Sequence, residues 1–216
     1  MRVVEPRTEH VFDLSSGHLV LDFVNTMGGM RGVKPKEYLR EHADLVAFGK
    51  QAGAIPERLA GRIAAEARRR PEEATAALAA AVALREALYR IFLERAEGRR
   101  ARSADLDVFN GALVRAMPHR RVLDQGGELS LGWDEAAELD AVSWPLADAA
   151  AALLTSDDVA RVRVCGMYGE GECSWLFLDR TKARTRRWCS MKDCGNRAKA
   201  RRHYAKVKGK EGGETA

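Results

Sequence analysis

All four cysteines of this 216-residue chain stand within thirty positions near its end, at Cys165, Cys173, Cys189 and Cys194. They form a C-x7-C pair and a C-x4-C pair, and two loop-closing pairs of soft thiolates suit the closed tetrahedral coordination of a structural zinc ion. A fragment of about fifty residues buries too little apolar surface to order itself, so a staple is expected there. Zinc held by deprotonated cysteines contributes on the order of 10 to 16 kcal/mol in small finger peptides. The competing reading, redox-active thiols or two disulfides, is disfavoured in a reducing compartment.

Charge singles out the same region. Residues 180–210 hold 13 of the 36 lysines and arginines and one acid, Asp193, a net of +12, so the remaining 23 cations and 30 acids sum to −7. A single-sign concentration of that size points to a polyanionic partner, with a merely solvated basic tail as the bland alternative. Upstream, 46% hydrophobic residues suffice for a packed core in a larger domain. Residues 1–10 are charged with no apolar run behind them, so neither a signal peptide nor a membrane span is expected, and the cytoplasm is the expected location.

Periodicity predicts a mainly helical first part. His18–Thr26 is an apolar run too short to separate strand from helix. Gly28, Gly29 and Gly32 read as a loop, and Pro35–Gly49 as an amphipathic helix. Pro56 opens a helix carrying Leu59 and Ile63, and Pro71 opens the longest one, with Leu78, Val82, Leu84, Leu88, Ile91 and Phe92 along its stripe up to Gly98. Ser103 is a candidate N-cap for the next, which stops before Pro118. Residues 121–131 read as a hairpin around Gly126-Gly127. Trp133–Leu154 reads as helix, bent or broken at Pro145, and Ser156 starts a short turn of helix.

Residues 161–165 alternate as a strand, Ser174–Leu178 is a second apolar run, and Asn196–Lys208 has helical composition. Cys165 and Cys173 then flank a knuckle between two strands, while Cys194 falls at the start of the basic helix. That is treble-clef logic: a knuckle, a hairpin, then a helix supplying the last ligand. Along the helix, Ala200, Tyr204 and Val207 form a narrow stripe suited to packing on the hairpin. Arg197, Lys199, Arg201, Arg202, Lys206 and Lys208 cover the rest of the helix, with phosphates as the expected counterpart and Arg186 and Arg187 as a second basic cluster. Trp188, beside a ligand, reads as a core residue of a small domain more readily than as a base-stacking platform. His203 reads as a phosphate-side or surface residue.

Trp175-Leu-Phe-Leu-Asp179, Arg186-Arg-Trp-Cys-Ser-Met191 and Cys194-Gly-Asn-Arg-Ala-Lys-Ala-Arg-Arg-His-Tyr204 resemble the CGNR zinc finger at the C-terminus of bacterial stress-induced transcription regulators. Leu21-Asp-Phe-Val-Asn-Thr26 and Trp144-Pro-Leu-Ala147 resemble the ABATE domain that precedes it. The resemblance implies one structural zinc held by the four cysteines, a finger that binds DNA, and an N-terminal domain that senses a ligand. Two features depart from the family pattern. The first cysteine pair is wider through Gly169-Glu-Gly171, and Thr181 and Ala183 stand where the family commonly has Ser and Asn.

The expectation is therefore an α+β chain: a mainly helical ABATE-like domain with a short hairpin (1–160), a treble-clef-like zinc finger (161–210) and a disordered tail (211–216). DNA is the expected partner, with an RNA-binding or ribosome-associated protein and a thiol redox sensor as alternatives. Phe23, Asn25 and Thr26 are candidates for an effector pocket; Asn25 and Thr26 read equally well as caps. No catalytic residues are expected. The glycines lack the Gly-Lys-Ser/Thr of a phosphate loop, and His18, Asp22 and His42 have no characteristic spacing. No membrane partner is expected, and a homodimer stays open although no heptad is visible.

Overall fold

The computed structural model describes residues 10–124 and 126–211, with side chains through Ala205. Seven helices and three two-stranded antiparallel hairpins follow in the order α1 (Leu19–Val24), β1 (Met27–Met30), β2 (Lys34–Glu37), α2 (His42–Gln51), α3 (Glu57–Arg69), α4 (Pro71–Ala96), α5 (Ser103–Ala116), β3 (Arg120–Asp124), β4 (Leu129–Trp133), α6 (Ser143–Leu154), β5 (Val162–Val164), β6 (Leu176–Leu178) and α7 (Asn196–Glu211). The fold is α+β, as expected, with one more hairpin than the sequence suggested.

α4 is the axis of the first part, packing against α1, α2, α3, α5 and α6 and against β5. Pro71 sits in its first turn, where a missing N–H costs nothing. Gly98, at φ +73°, ends it in a Schellman turn: the Gly98 N–H bonds the Arg95 carbonyl and the Arg99 N–H that of Glu94. Its buried side includes Leu84, Leu88, Ile91 and Phe92, and joins Phe23, Phe48, Ile63, Trp144 and Leu146 in one continuous core.

Several elements differ from the sequence expectation, each for a local reason. The His18–Thr26 run is the helix α1, capped by the His18 ring and buried on all sides against α4, α6 and β6, which is why it carries no amphipathic signature. The expected glycine loop is β1. Gly29 lies opposite Pro35 at φ +69°, and a Cβ there would meet the Lys34 carbonyl oxygen at 2.2 Å. Because Lys34–Glu37 pairs with β1, the helix expected from Pro35 starts only at His42, behind a capping box of Glu41 and Asp44. Trp133 ends β4, and α6 starts at Ser143, so Pro145 lies in its first turn rather than breaking a longer helix. α7 runs on to Glu211, and the rest of the tail expected to be disordered lies outside the described residues.

Candidate metal centre and basic arm

The metal centre is built by backbone before any side chain is counted. Cys165 follows β5, its N–H bonding the Trp175 carbonyl, and the chain turns back through residues 166–172 to Cys173 and β6. On the far side, a single π-helical turn over Met191–Gly195 carries Cys194 and runs straight into α7. All four cysteines are buried, and their sulfurs lie within 4.8 Å of one another. Cys189 Sγ is 3.8 Å from Cys173 Sγ and 3.5 Å from Cys194 Sγ. A tetrahedral site with zinc–sulfur bonds of about 2.3 Å requires sulfurs about 3.8 Å apart, so the quartet fits one zinc ion. Four protein ligands leave no open position, which makes the zinc structural.

Donors converge on these sulfurs from outside. The backbone N–H of Cys189 points to the Cys165 sulfur and that of Trp175 to Cys173, while Arg197 Nη2 lies 3.1 Å from Cys194 Sγ. Such contacts spread the negative charge of thiolates and orient them. Crowding also splits the thiol titrations. Hydrogen bonds from Cys173 and its neighbours pull Cys165 well below the ordinary thiol range, and bonding to the Cys165 sulfur pushes Cys173 and Cys189 well above it. Zinc binding must release those protons, so affinity falls as pH falls.

The small core around the metal is filled by Met167, Phe177 and Ala198, with Trp175 and Trp188 against it. Trp188 is thus a packing residue: a Cβ on Gly166 would lie 2.5 Å from its ring, and one on Gly195 3.1 Å from it. The glycine of the Cys-Gly-Asn-Arg run thus lies tight against Met191 and Trp188. Asp179 organises the connection to the second cysteine pair, accepting from the hydroxyl and N–H of Thr181 and the N–H of Arg186. The Thr181 hydroxyl, foremost, holds the Asp179 carboxyl below its usual range. Threonine at this position therefore keeps the hydroxyl that serine would supply.

The seven cationic candidates separate into two groups. Arg186 is turned into the fold. It stacks 4.4 Å over the Phe177 ring and donates to the carbonyls of Trp188, Cys189 and Ser15. Arg197 bonds Cys194 and pairs with Asp193 and Glu172, and Arg201 pairs with Glu170 and Glu172. Glu170 and Glu172 belong to the widened knuckle, Asp193 to the turn that carries Cys194. Arg187, over the Trp188 ring, and Lys199 and Arg202 on α7 are exposed and have no acidic partner among the described residues. Lys206 lies in α7, with its side chain outside the described residues. Of the expected apolar stripe, Ala200 and Tyr204 are exposed rather than packed on the hairpin and Val207 lies outside the described side chains; among the described side chains of α7, Ala198 alone is buried.

The finger is tied to the helical part through β6. The Asn25 amide accepts from the Leu176 N–H at 3.0 Å and donates to the Leu176 carbonyl at 2.8 Å. Trp175 Nε1 donates to the Met27 carbonyl, and the Ser174 N–H to that of Gly29. Phe23 is fully buried in the main core, and Thr26 Oγ1 donates to the Phe23 carbonyl and accepts from Arg85. The cavity beside Asn25 and Thr26 measures about 90 Å³, room for a few water molecules.

Sequence reasoning missed the ion cluster behind this joint. Arg85, with no exposed surface, is held bidentately by Glu37 and also by Glu86. Arg31 pairs with Glu86, reaches Ser174 and the Val24 carbonyl, and lies over Tyr89. The signal was Arg85 on the apolar stripe of α4, four residues after Ala81 and three before Leu88. The residues weighed as an acid/base set are dispersed among structural roles. His18 caps α1, Asp22 accepts from the Ser16 N–H, and His42 bonds the Leu139 carbonyl.

A helical body joined to a four-cysteine, treble-clef-like finger defines the class: a metal-binding protein with a projecting basic helix. Residues 161–207 match the CGNR zinc finger family. Residues 17–157 match the ABATE family, described as "Putative stress-induced transcription regulator", over more than half of the chain, and the chain belongs to that family. Neither family is one of enzymes. No curated protein matches the chain. Among the described residues, no helix is long and apolar enough to cross a membrane.

Proposed function

We propose that this protein is a cytoplasmic DNA-binding transcription regulator, without catalytic activity of its own, whose helical domain (1–160) receives a small-molecule effector and whose finger (161–210) holds the DNA. The observation that carries the reading is the exposed cationic face of α7, whose start is fixed to the metal through Cys194. Lys199 and Arg202 contribute to that face; Arg187, exposed beside Trp188, and Lys206, further along α7, are the other contacts of this reading. Arg197 and Arg201 lie at its edge, where phosphates compete with Glu170 and Glu172. Arg186 supports the interface from within the fold.

Fluorescence anisotropy with duplex DNA across a salt series tests this. Each phosphate neutralised adds about 0.9 to the slope of log affinity against log salt on duplex DNA. Lys199→Ala and Arg202→Ala should each lower the slope by roughly one contact and leave the thermal midpoint unchanged. Unchanged slopes in both variants would remove α7 from the interface. An RNA hairpin bound more tightly than duplex DNA at the same salt would replace the reading with an RNA-binding one.

A further inference from the structure

A cavity of about 650 Å³ opens between the β3–β4 hairpin and the starts of α3 and α6, far larger than the space beside Asn25. Its volume falls within the range of about 300 to 1,000 Å³ typical of small-molecule sites. Ile55, Leu59, Ala141 and Trp144, all buried, form the floor, and Leu123 and Trp133 the hairpin wall. Two prolines stiffen the frame: Pro56 caps α3 and Pro145 lies in the first turn of α6.

The charges around the cavity are already matched. Arg121 donates to Asp134 at 2.8 Å and to the Pro118 and Arg120 carbonyls, and His119 also faces Asp134. Glu135 pairs with Arg58 and Arg62. A charged ligand would have to break one of these pairs, whereas an uncharged one would leave them intact. The indoles favour a flat ring. His119 stacks on Trp144 at 3.6 Å and the Arg120 guanidinium covers Trp133 at 4.6 Å, so each indole lines the cavity with its opposite face or its edge.

We propose that this cavity binds an uncharged, flat aromatic molecule. The inference rests on the effector half of the reading above, to which it gives a place and a ligand class, and is independent of the nucleic-acid half. Apolar walls supply the affinity, the two indoles select a planar ring, and the matched charges reject ionised compounds.

The test uses the full-length zinc-loaded protein and two dyes of similar shape, uncharged N-phenyl-1-naphthylamine and anionic 8-anilinonaphthalene-1-sulfonate. The uncharged dye should bind saturably at one site, at least about tenfold more tightly than the sulfonate. Ala54→Phe and Leu123→Trp fill the cavity from opposite walls, and each should weaken the uncharged dye by a further factor of about ten with the thermal midpoint retained. Three results would overturn the proposal: no saturable binding of the uncharged dye, equal binding of the sulfonate, or undiminished binding in both filled variants. Dye binding decides occupancy of the cavity. DNA affinity with and without saturating dye separately decides whether occupancy acts on the finger.

Discussion

The helical body and the finger are held together by different physics. The body's core is a continuous cluster of aliphatic and aromatic side chains gathered around α4. The finger's core is seven buried residues, of which four are the cysteines themselves. Hydrophobic burial at about 25 cal/mol per Å² suffices for the first and falls short for the second. β6 serves both at once. Leu176 and Leu178 enter the body's core while Phe177, pointing the other way, enters the finger's. The two units that sequence matching divides near residue 160 thus share a strand, and the metal that orders one also fixes side chains that complete the other.

The largest expected effect probes that sharing. Chelating the zinc, or Cys173→Ser, should abolish the finger, because metal binding supplies on the order of 10 to 16 kcal/mol of its folding energy. Were the units independent, the helical signal in circular dichroism would melt at the same temperature with and without metal. With a shared β6, loss of Leu176 and Leu178 from the body's core should remove about 1.5 to 3 kcal/mol each. The helical midpoint should therefore drop by several degrees. A midpoint unmoved by metal would show that the body's core closes without β6.

The next effect lies in the body, at its buried Arg85 cluster. Glu37→Gln leaves Arg85 buried with only Glu86 as a charged partner, and should cost about 3 kcal/mol, the lower end for breaking a buried pair. Burial opposes ionisation of Glu37, but the Arg85 hydrogen bonds and charge more than offset it and hold the carboxyl below its ordinary value. The pair's contribution is then fully present above the unfolded-state value of about 4.3 and is lost as pH falls through the lower folded value. Denaturation from pH 7 to pH 3 should show wild type and variant converging at the acid end. A gap independent of pH would mean that Arg85 draws nothing from the Glu37 charge.

Asn25→Ala acts on the joint itself. It strands both the N–H and the carbonyl of Leu176, so about 2 to 3 kcal/mol is expected. The loss should shift both the helical melt and the rate of zinc release to a chelator. A shift in the melt alone would place Asn25 wholly on the body's side.

Asn25 also marks where sequence reading stops. The metal site was legible down to its ligands, because cysteine spacing and the demand for a staple are local facts. The long helix α4 was legible from its stripe and from Pro71 and Gly98. Asn25 was not, since its partner lies 151 residues away and a buried asparagine in a short run looks the same whether it caps a helix or bridges to a strand. Gly28 and Gly29 looked like a loop for a similar reason: the close approach of Tyr38 and Lys34 that calls for glycine exists only after folding. The basic arm was legible as charge but not by face. Which arginines turn inward depends on where the knuckle places Glu170 and Glu172.

The smallest effect on stability carries the most information about the arm. Glu170 and Glu172 stand partly exposed on the knuckle and pair with Arg201 and Arg197 on the finger side of α7. Exposed ion pairs contribute about 0 to 1 kcal/mol, so Glu170→Gln combined with Glu172→Gln should barely move the melt. On DNA the change should be larger, because carboxylates on those guanidiniums occupy the place a phosphate would take. Removing the knuckle carboxylates from both arginines, with Arg197 still held by Asp193 and Cys194, should tighten duplex binding and steepen the salt slope by about 0.9 per new phosphate contact. Arg197 differs from Arg201 in its bond to Cys194, so Arg197→Ala should hasten zinc release to a chelator while Arg201→Ala should not. If the double glutamine variant bound DNA with an unchanged slope, Arg197 and Arg201 would belong to the finger's own architecture, and the DNA-facing side of α7 would reduce to the face that bears Lys199 and Arg202.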